Sequence, residues 1–275
     1  MRSKPTPVIT SASTKQQSTK QANSTQHDAA DCRIALSWFG RWFSGQRGSV
    51  VFNSQGITLP DGNAVSRQAN GQSLLWQQLD SPPQFEWRWL GVTMIIRAKG
   101  VVYENHFLGY RSTARCAKQV QRLWAEYHQH TLLTLVGKIE QTIETRYLRQ
   151  SRLTAIKGRV AREYKRWLPW GENAVVSEEV KTALRKLTAM HCWNDAALES
   201  IRQNFINTQL VRYGDYFDRV ESNPLTDKQR RACVIDDDNN LLLAGAGTGK
   251  TSVMVGRAGY LLASGQAEPQ EILLL

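Results

Sequence analysis

Large apolar residues alternate with polar ones in the first third of the chain and recur every three or four positions further on. The pattern therefore predicts sheet first and helix afterwards. Val50, Val51 and Phe52 lead to Gly56 and then Ile57 to Leu59, and Pro60-Asp61-Gly62 closes the run with turn residues. Phe85, Trp87 and Trp89 alternate with Glu86 and Arg88, the two-residue period of a half-buried strand. Thr93 to Arg97 and Val101 to Phe107 flank Lys99-Gly100 like the arms of a hairpin. A small antiparallel sheet between Cys32 and Leu108 is expected. Its aromatic density, with Trp38, Phe39, Trp42, Phe43 and Trp76 besides the alternating three, could stack bases as in single-strand binders. The alternation favours core packing instead.

After Arg111 the period becomes helical. Val120, Leu123, Trp124 and Tyr127 recur at three and four residues, and Leu132, Val136, Ile139, Ile143 and Tyr147 continue the stripe. A helix over 112–130 capping the sheet would resemble a pleckstrin-homology-like arrangement. The helical pattern persists through Leu153, Ile156, Val160, Tyr164 and Trp167 until Pro169 and Gly171 break it, and Ser177 to Lys186 and Ala196 to Phe217 predict further helices. Residues 1–30 hold too few large apolar side chains to offset the entropy of ordering, which predicts a disordered tail. The expected division is a tail over 1–30, a β-rich domain over 31–130, a basic helical region over 131–221 and a nucleotide-binding segment over 222–275.

Charge sharpens this picture. The chain of 275 residues carries a formal net charge of +11 with a pI near 9.7, and a basic surface gains by releasing counterions from polyanions. Between Arg111 and Arg166 there are 13 Lys and Arg against four Glu and no Asp. Arg152, Arg159, Arg162 and Arg166 fall on one stripe of the 153–167 helix, beside the apolar stripe. Such a row can meet DNA phosphates, and it also reads as a solvated face. Cys32, Cys116, Cys192 and Cys233 lie far apart without a CxxC spacing, so neither a zinc site nor a disulfide partner is expected. No apolar run reaches the length of a membrane span, and the first 26 residues lack a signal-peptide core. A cytoplasmic protein with no membrane partner is the expectation.

The sharpest signal is Leu241-Leu242-Leu243 running into Ala244-Gly245-Ala246-Gly247-Thr248-Gly249-Lys250-Thr251 and then into a helix over Ser252 to Leu262. Strand, glycine-rich loop and helix are the context of a Walker A phosphate-binding loop. Glycines 245, 247 and 249 let backbone N–H groups turn toward phosphate oxygens, and the helix adds the positive end of its dipole. Lys250 would reach the β- and γ-phosphates of ATP, and the Thr251 hydroxyl would ligate Mg²⁺. Ala244 stands where the general pattern has glycine.

The run from Ala244 to Thr251 resembles motif I of UvrD/Rep-type superfamily 1 DNA helicases, where alanine at that position is expected. Pro224-Leu225-Thr226-Asp227-Lys228-Gln229-Arg230-Arg231-Ala232 is similar to the family segment whose glutamine reads the adenine edge of ATP. That resemblance implies adenine contact by Gln229. Thr226 and Gln229 also stand as a T-x-x-Q capping box, in which Gln229 would serve only a helix end. Tyr213 to Asn223 continue the likeness, and Ile272 to Leu275 resemble the opening of the family's next strand.

The resemblance implies a RecA-like P-loop α/β motor domain at its start, ATP and Mg²⁺ as cofactors, 3′ to 5′ unwinding, and single-stranded or junction DNA as partner. The fold class expected overall is α+β. Cys233-Val234-Ile235-Asp236-Asp237-Asp238 imitates the carboxylate strand of such enzymes, but it precedes the loop, so Asp236 to Asn240 are expected to form a turn. Phosphoryl transfer also needs a second metal-binding carboxylate, a water-orienting residue and usually an arginine. None follows Thr251, so the catalytic set is expected to be incomplete and this chain inactive by itself, as the N-terminal part of a helicase. A non-catalytic nucleic-acid-binding module or an interrupted gene product is the alternative.

Overall fold

Seven strands form two antiparallel sheets in the computed structural model, which describes residues 31–43, 48–60, 73–169, 176–245 and 247–274. The expected tail over 1–30, Asp61-Gly62, Gly171, Ala246 and Leu275 lie outside the described residues. One sheet has the order β1 (Cys32–Ala35), β2 (Ser49–Phe52), β3 (Gly56–Thr58) and β4 (Ser73–Leu75). The other is β5 (Gln84–Arg88), β6 (Gly91–Ala98) and β7 (Val101–Leu108). Single bridges, Leu36 to Leu108 and Leu79 to Ala98, link them. A short helix, α1 (Trp38–Phe43), lies between β1 and β2.

Local chemistry explains the turns. Lys99 and Gly100 both take left-handed φ, 51° and 76°, between paired Ala98 and Val101, the geometry whose twist matches a two-residue hairpin. Asn53 Oδ1 accepts from the N–H groups of Gln55 (3.0 Å) and Gly56 (2.9 Å), which turns β2 into β3. Phe107 has φ +60° beside a register shift between β6 and β7. For a bulky residue that conformation costs on the order of 1–3 kcal/mol and persists only where the surroundings impose it.

Helices follow as α2 (Tyr110–Thr145), α3 (Gln150–Trp167), α4 (Glu178–His191), α5 (Asp195–Arg212), α6 (Gly214–Arg219), α7 (Asp227–Val234) and α8 (Lys250–Ala263). At 1.5 Å per residue α2 is about 54 Å long. It runs unbroken past residue 130, carrying the sheet's core into the helical region. Ile34, Phe52, Trp76, Met94 and Leu108 pack with Val120 and Trp124 at its start, and Leu132, Val136 and Ile139 meet α3 and α4 further along. The apolar stripe Leu153, Ile156, Val160 and Trp167 is buried as its spacing implies. The α+β class and the antiparallel sheet are as expected.

Several expectations are corrected. Trp87 and Trp89 are 54% and 88% exposed, and Trp38 and Trp42 are 65% and 70% exposed, whereas Trp76 is fully buried and Phe85 is half-buried. Alternation shows which side chains share a strand face, not whether anything covers it, and β5 is an edge strand. The expected strand at Leu241 to Leu243 is unpaired, with Leu241 and Leu243 each 84% exposed. Ile272 to Leu274 likewise form no strand. A strand requires a partner's hydrogen bonds, and neither segment has one among the described residues. The helix expected over Ala196 to Phe217 breaks at Tyr213, ahead of Gly214. Cys32 and Cys116 are joined as a disulfide with Cα atoms 5.9 Å apart, because the fold brings β1 against α2 across 84 residues of sequence. Sequence spacing carries no information about such a pair.

Candidate functional site

The glycine-rich loop rests on a second, all-helical core. Phe205 and Ile206 of α5, Phe217 of α6, Leu225, Cys233 and Val234 around α7, and Val253 and Tyr260 of α8 are buried together with Tyr147. Gly256 lets α8 approach α7: a Cβ there would lie 2.9 Å from Leu225 Cδ1 and 3.1 Å from Cys233 Sγ. The Tyr216 hydroxyl donates to the Gly256 carbonyl at 3.0 Å, and buried Tyr260 donates to Gln209 Oε1 at 3.0 Å while accepting from Gln266 at 2.9 Å. Burial pushes the Cys233 thiol up to about 11, with Arg257 acting in the opposite direction. That thiol is a packing group rather than a nucleophile.

On this base two separated stretches of sequence meet. Thr226 caps α7, and its N–H donates to Gln229 Oε1 at 2.8 Å, completing the capping box. The same Gln229 reaches the loop with its other end, Nε2 donating to the Thr248 carbonyl at 3.2 Å. Gln229 is thus both cap and loop neighbour. Gly247 and Gly249 adopt left-handed φ of 72° and 81°, which disfavours any residue with a Cβ. At Gly249 a Cβ would also lie 2.6 Å from Gln229 Nε2, whereas at Gly247 it would meet open space.

Helix α8 starts at Lys250 directly after the left-handed glycine, with no side-chain cap on its exposed end. Lys250 Nζ donates to the carbonyls of Ala244 (2.9 Å) and Gly245 (2.7 Å), and Thr248 Oγ1 donates to Gly245 at 2.8 Å. Thr251 is exposed beside them. Left-handed glycines, a helix start without a side-chain cap and a lysine held on the loop's own carbonyls are the residue types that suit a phosphate. Among the described residues no group of three or more His, Cys, Asp or Glu could hold a metal ion.

The acidic run after Cys233 has a different task. Asp236 is buried, accepts from Arg149 Nε at 2.9 Å and from Arg149 Nη2, and also pairs with Arg257 at 2.9 Å. Asp237 accepts from Gln150 N at 3.0 Å, and Asp238 accepts from Ser151 N at 2.7 Å and Ser151 Oγ at 2.6 Å. Those serine hydrogen bonds hold the Asp238 carboxyl below the usual carboxylate range. The irregular segment 235–240 therefore caps the N-terminus of α3, where carboxylates complement the helix dipole. Through Asp236 it ties α8 to α3. Nothing in the sequence pattern pointed to these partners, which lie 87 residues apart.

The four arginines of α3 do not form a uniform row. Arg159 and Arg162 are exposed. Arg152 donates to the Tyr147 carbonyl at 2.6 Å, and Arg166 pairs at 2.9 Å with buried Glu163, which also accepts from Trp167 Nε1. Glu163 sits within the apolar stripe, and that position was the legible sign of a buried pair.

Residues 225–275 match the model of the UvrD/REP helicase N-terminal domain. The motif likeness is therefore shown: this part of the chain is similar to UvrD-type helicases. DNA helicase IV of Escherichia coli (strain K12) is 38% identical over 130 residues, a stretch that covers 40% of this chain and 19% of that protein. The chain thus corresponds to a minor part of that relative's length. No solved structure matches. No helix among the described residues is long and apolar enough to cross a membrane.

Proposed function

We propose that the chain is an N-terminal portion of an ATP-dependent 3′ to 5′ DNA helicase, binding Mg²⁺-ATP at the loop and DNA through basic helices. The observation that carries this reading is the meeting of Gln229 with Thr248 at 3.2 Å where α8 leaves the left-handed Gly249. Two segments with separate motif likenesses converge on one exposed loop.

The chemistry assigned to each residue follows from its place. The N–H groups of Gly247 to Thr251 hold phosphate oxygens, and Lys250 leaves the Ala244 and Gly245 carbonyls to neutralise phosphate charge. Thr251 supplies a hydroxyl to Mg²⁺, whose role when bound is to neutralise charge on the phosphates. Gln229 is the residue proposed to read adenine, keeping its carbonyl oxygen on the helix cap. Ala246 belongs to the same cradle by its place in the motif. Arg159 and Arg162, with Arg152 and Arg166 only if they exchange their present partners, meet DNA phosphates. We assign the sheet and α2 a pleckstrin-homology-like scaffold role and the protein a cytoplasmic setting.

The 275-residue chain is proposed to bind nucleotide without turning it over. Asp236, Asp237 and Asp238 are committed to Arg149, Arg257 and the first turn of α3, so the acidic run is not available for hydrolysis. The unpaired Leu241 to Leu243 segment favours a second reading, in which the chain acts as a DNA-binding module whose affinity ignores nucleotide. Equilibrium Mg²⁺-ATP binding to the parent and to Lys250→Ala decides. The proposed site predicts binding that Lys250→Ala weakens at least about tenfold, the scale of a charge-assisted contact. Equal affinity in both chains would reject it.

A further inference from the structure

Among the described residues four tryptophans are exposed, Trp38 and Trp42 on α1 and Trp87 and Trp89 at the end of β5, and exposed aromatics grouped in this way mark interaction surfaces. Trp38 and Trp42 lie on one face of α1 with ring centroids 5.7 Å apart. That helix is docked on Phe107: Ser37 N donates to the Phe107 carbonyl at 2.6 Å, and a Cβ on Gly40 would lie 2.9 Å from Phe107 Cβ. From the other side Gly91 is equally close, its Cβ position 2.9 Å from Phe107 Cα. The left-handed Phe107 thus sits between α1 and the β5–β6 turn that carries Trp89. A cleft of about 250 Å³ opens there, lined by Arg88, Trp89, Gly91, His106 and Phe107. Tyr110 fixes the turn by accepting from Gly91 N at 3.0 Å and donating to the Arg88 carbonyl, and its ring stacks on Trp87 at 6.1 Å. Bulges commonly re-aim side chains beside functional sites.

The surroundings select the occupant. Arg41 directly precedes Trp42 in α1, Arg111 directly follows Tyr110, and Arg41, Arg111 and Arg115 are all exposed. Among the described residues none of the three pairs with a carboxylate, while Glu86 is held by Arg88 and Glu104 lies near His106. Exposed aromatic rings with exposed arginines on neighbouring residues match stacked bases joined by phosphates. We propose that this surface binds single-stranded nucleic acid, with bases stacking on Trp38, Trp42 and Trp89 and phosphates meeting Arg41 and Arg111. Duplex is disfavoured because its bases are already stacked on one another. The proposal deepens the DNA-binding reading by adding a second, aromatic contact surface to the arginines of α3.

Binding of labelled oligothymidylate, about 16 nucleotides long, to the full chain tests it, with oligouridylate and a blunt duplex of equal length alongside. Quenching of tryptophan fluorescence is followed in parallel. Trp38→Ala and Trp89→Ala should each weaken single-strand affinity about fivefold or more, Trp→Phe should restore part of the loss, and duplex affinity should change little. Arg159→Gln with Arg162→Gln should instead lower the salt slope by about two units and leave the quenching in place. Unchanged single-strand affinity and quenching in both alanine variants, with binding that still depends on Arg159 and Arg162, would overturn the stacking surface and spare the DNA reading. No binding of any nucleic acid by the parent would overturn both. Self-association of the chain that Trp89→Ala abolishes and oligonucleotide fails to compete would reassign the patch to protein contact and overturn the proposal.

Discussion

The two hydrophobic cores are built on opposite plans. The first closes two antiparallel sheets with the start of α2 and then continues along that helix to α3 and α4, burying Trp76, Trp124 and Trp167 completely. The second holds α5 to α8 around Phe217 and Tyr260, yet Leu241, Leu243 and Leu273 beside it stand about four-fifths exposed. Close packing at the base of α8, through Gly256 and the Tyr216 hydroxyl, coexists with an open loop at its N-terminal end. A rigid seat with an uncovered mouth suits phosphate binding, where backbone N–H groups must face a ligand rather than a neighbour. The first core supplies the frame, and Asp236 is one link, bonded to Arg149 of the frame and Arg257 of the loop helix, beside α5, whose Leu198 packs in the first core and Phe205 in the second.

The comparison breaks most visibly at Trp124. It is fully buried and touches Trp167 edge-on at 4.9 Å, so Trp124→Ala should cost about 3–5 kcal/mol, the range for emptying a large aromatic site. Urea unfolding monitored by circular dichroism should show the loss. A change under about 1 kcal/mol would mean that the first core is not the frame.

Removing the link is the next test. Asp236→Ala leaves two arginines facing a low-polarity pocket, and because both remain partly exposed the cost should be roughly 2–3 kcal/mol. Melting should then separate into two transitions, the earlier one carrying the loop core. A single unshifted transition would show that the two cores are joined by something else.

Acid should act on the first core through His128. His128 is buried against Trp124 and Tyr127, and burial, with Arg166 adding to it, lowers its pKa to about 4, against a smaller raising effect from a hydrogen bond to the Trp76 backbone. A histidine depressed in this way stays neutral in the folded chain while the unfolded chain takes up a proton below its ordinary 6.5. Stability is therefore full above that value and falls as pH drops toward about 4. The loss should amount to roughly 3 kcal/mol and be absent from His128→Phe, measured by urea unfolding across that window. Equal acid sensitivity in both chains would remove His128 from the account.

How much of this was legible varies with how local the cause is. The hairpin at Lys99-Gly100 and the helical stripe from Leu153 to Trp167 depend on neighbours in sequence, and both were readable. The T-x-x-Q box was readable too, but its two roles compete on paper and coexist in the fold, because Gln229 has an acceptor for the cap and a donor for Thr248. What could not be read depends on distant partners. The cover missing from β5 leaves Trp87 and Trp89 in solvent, the Cys32–Cys116 pairing spans 84 residues, and the Asp236 to Asp238 run finds its donors on α3. Strands at Leu241 to Leu243 and Ile272 to Leu275 were expected from an apolar run ahead of the glycine-rich loop and from the family resemblance, and pairing is a property of two segments rather than one.

Hydrogen exchange with and without Mg²⁺-ATP tests the central claim most directly, because it reads the seat and the mouth of the loop separately. Without nucleotide, amides of 253–262 in α8 should exchange slowly, like those of 120–139 in α2, while 244–251 exchange fast. Added Mg²⁺-ATP should protect 247–251 and leave 120–139 unchanged, and Lys250→Ala should lose that response. Fast exchange throughout 253–262, or protection by nucleotide that survives Lys250→Ala, would contradict the account.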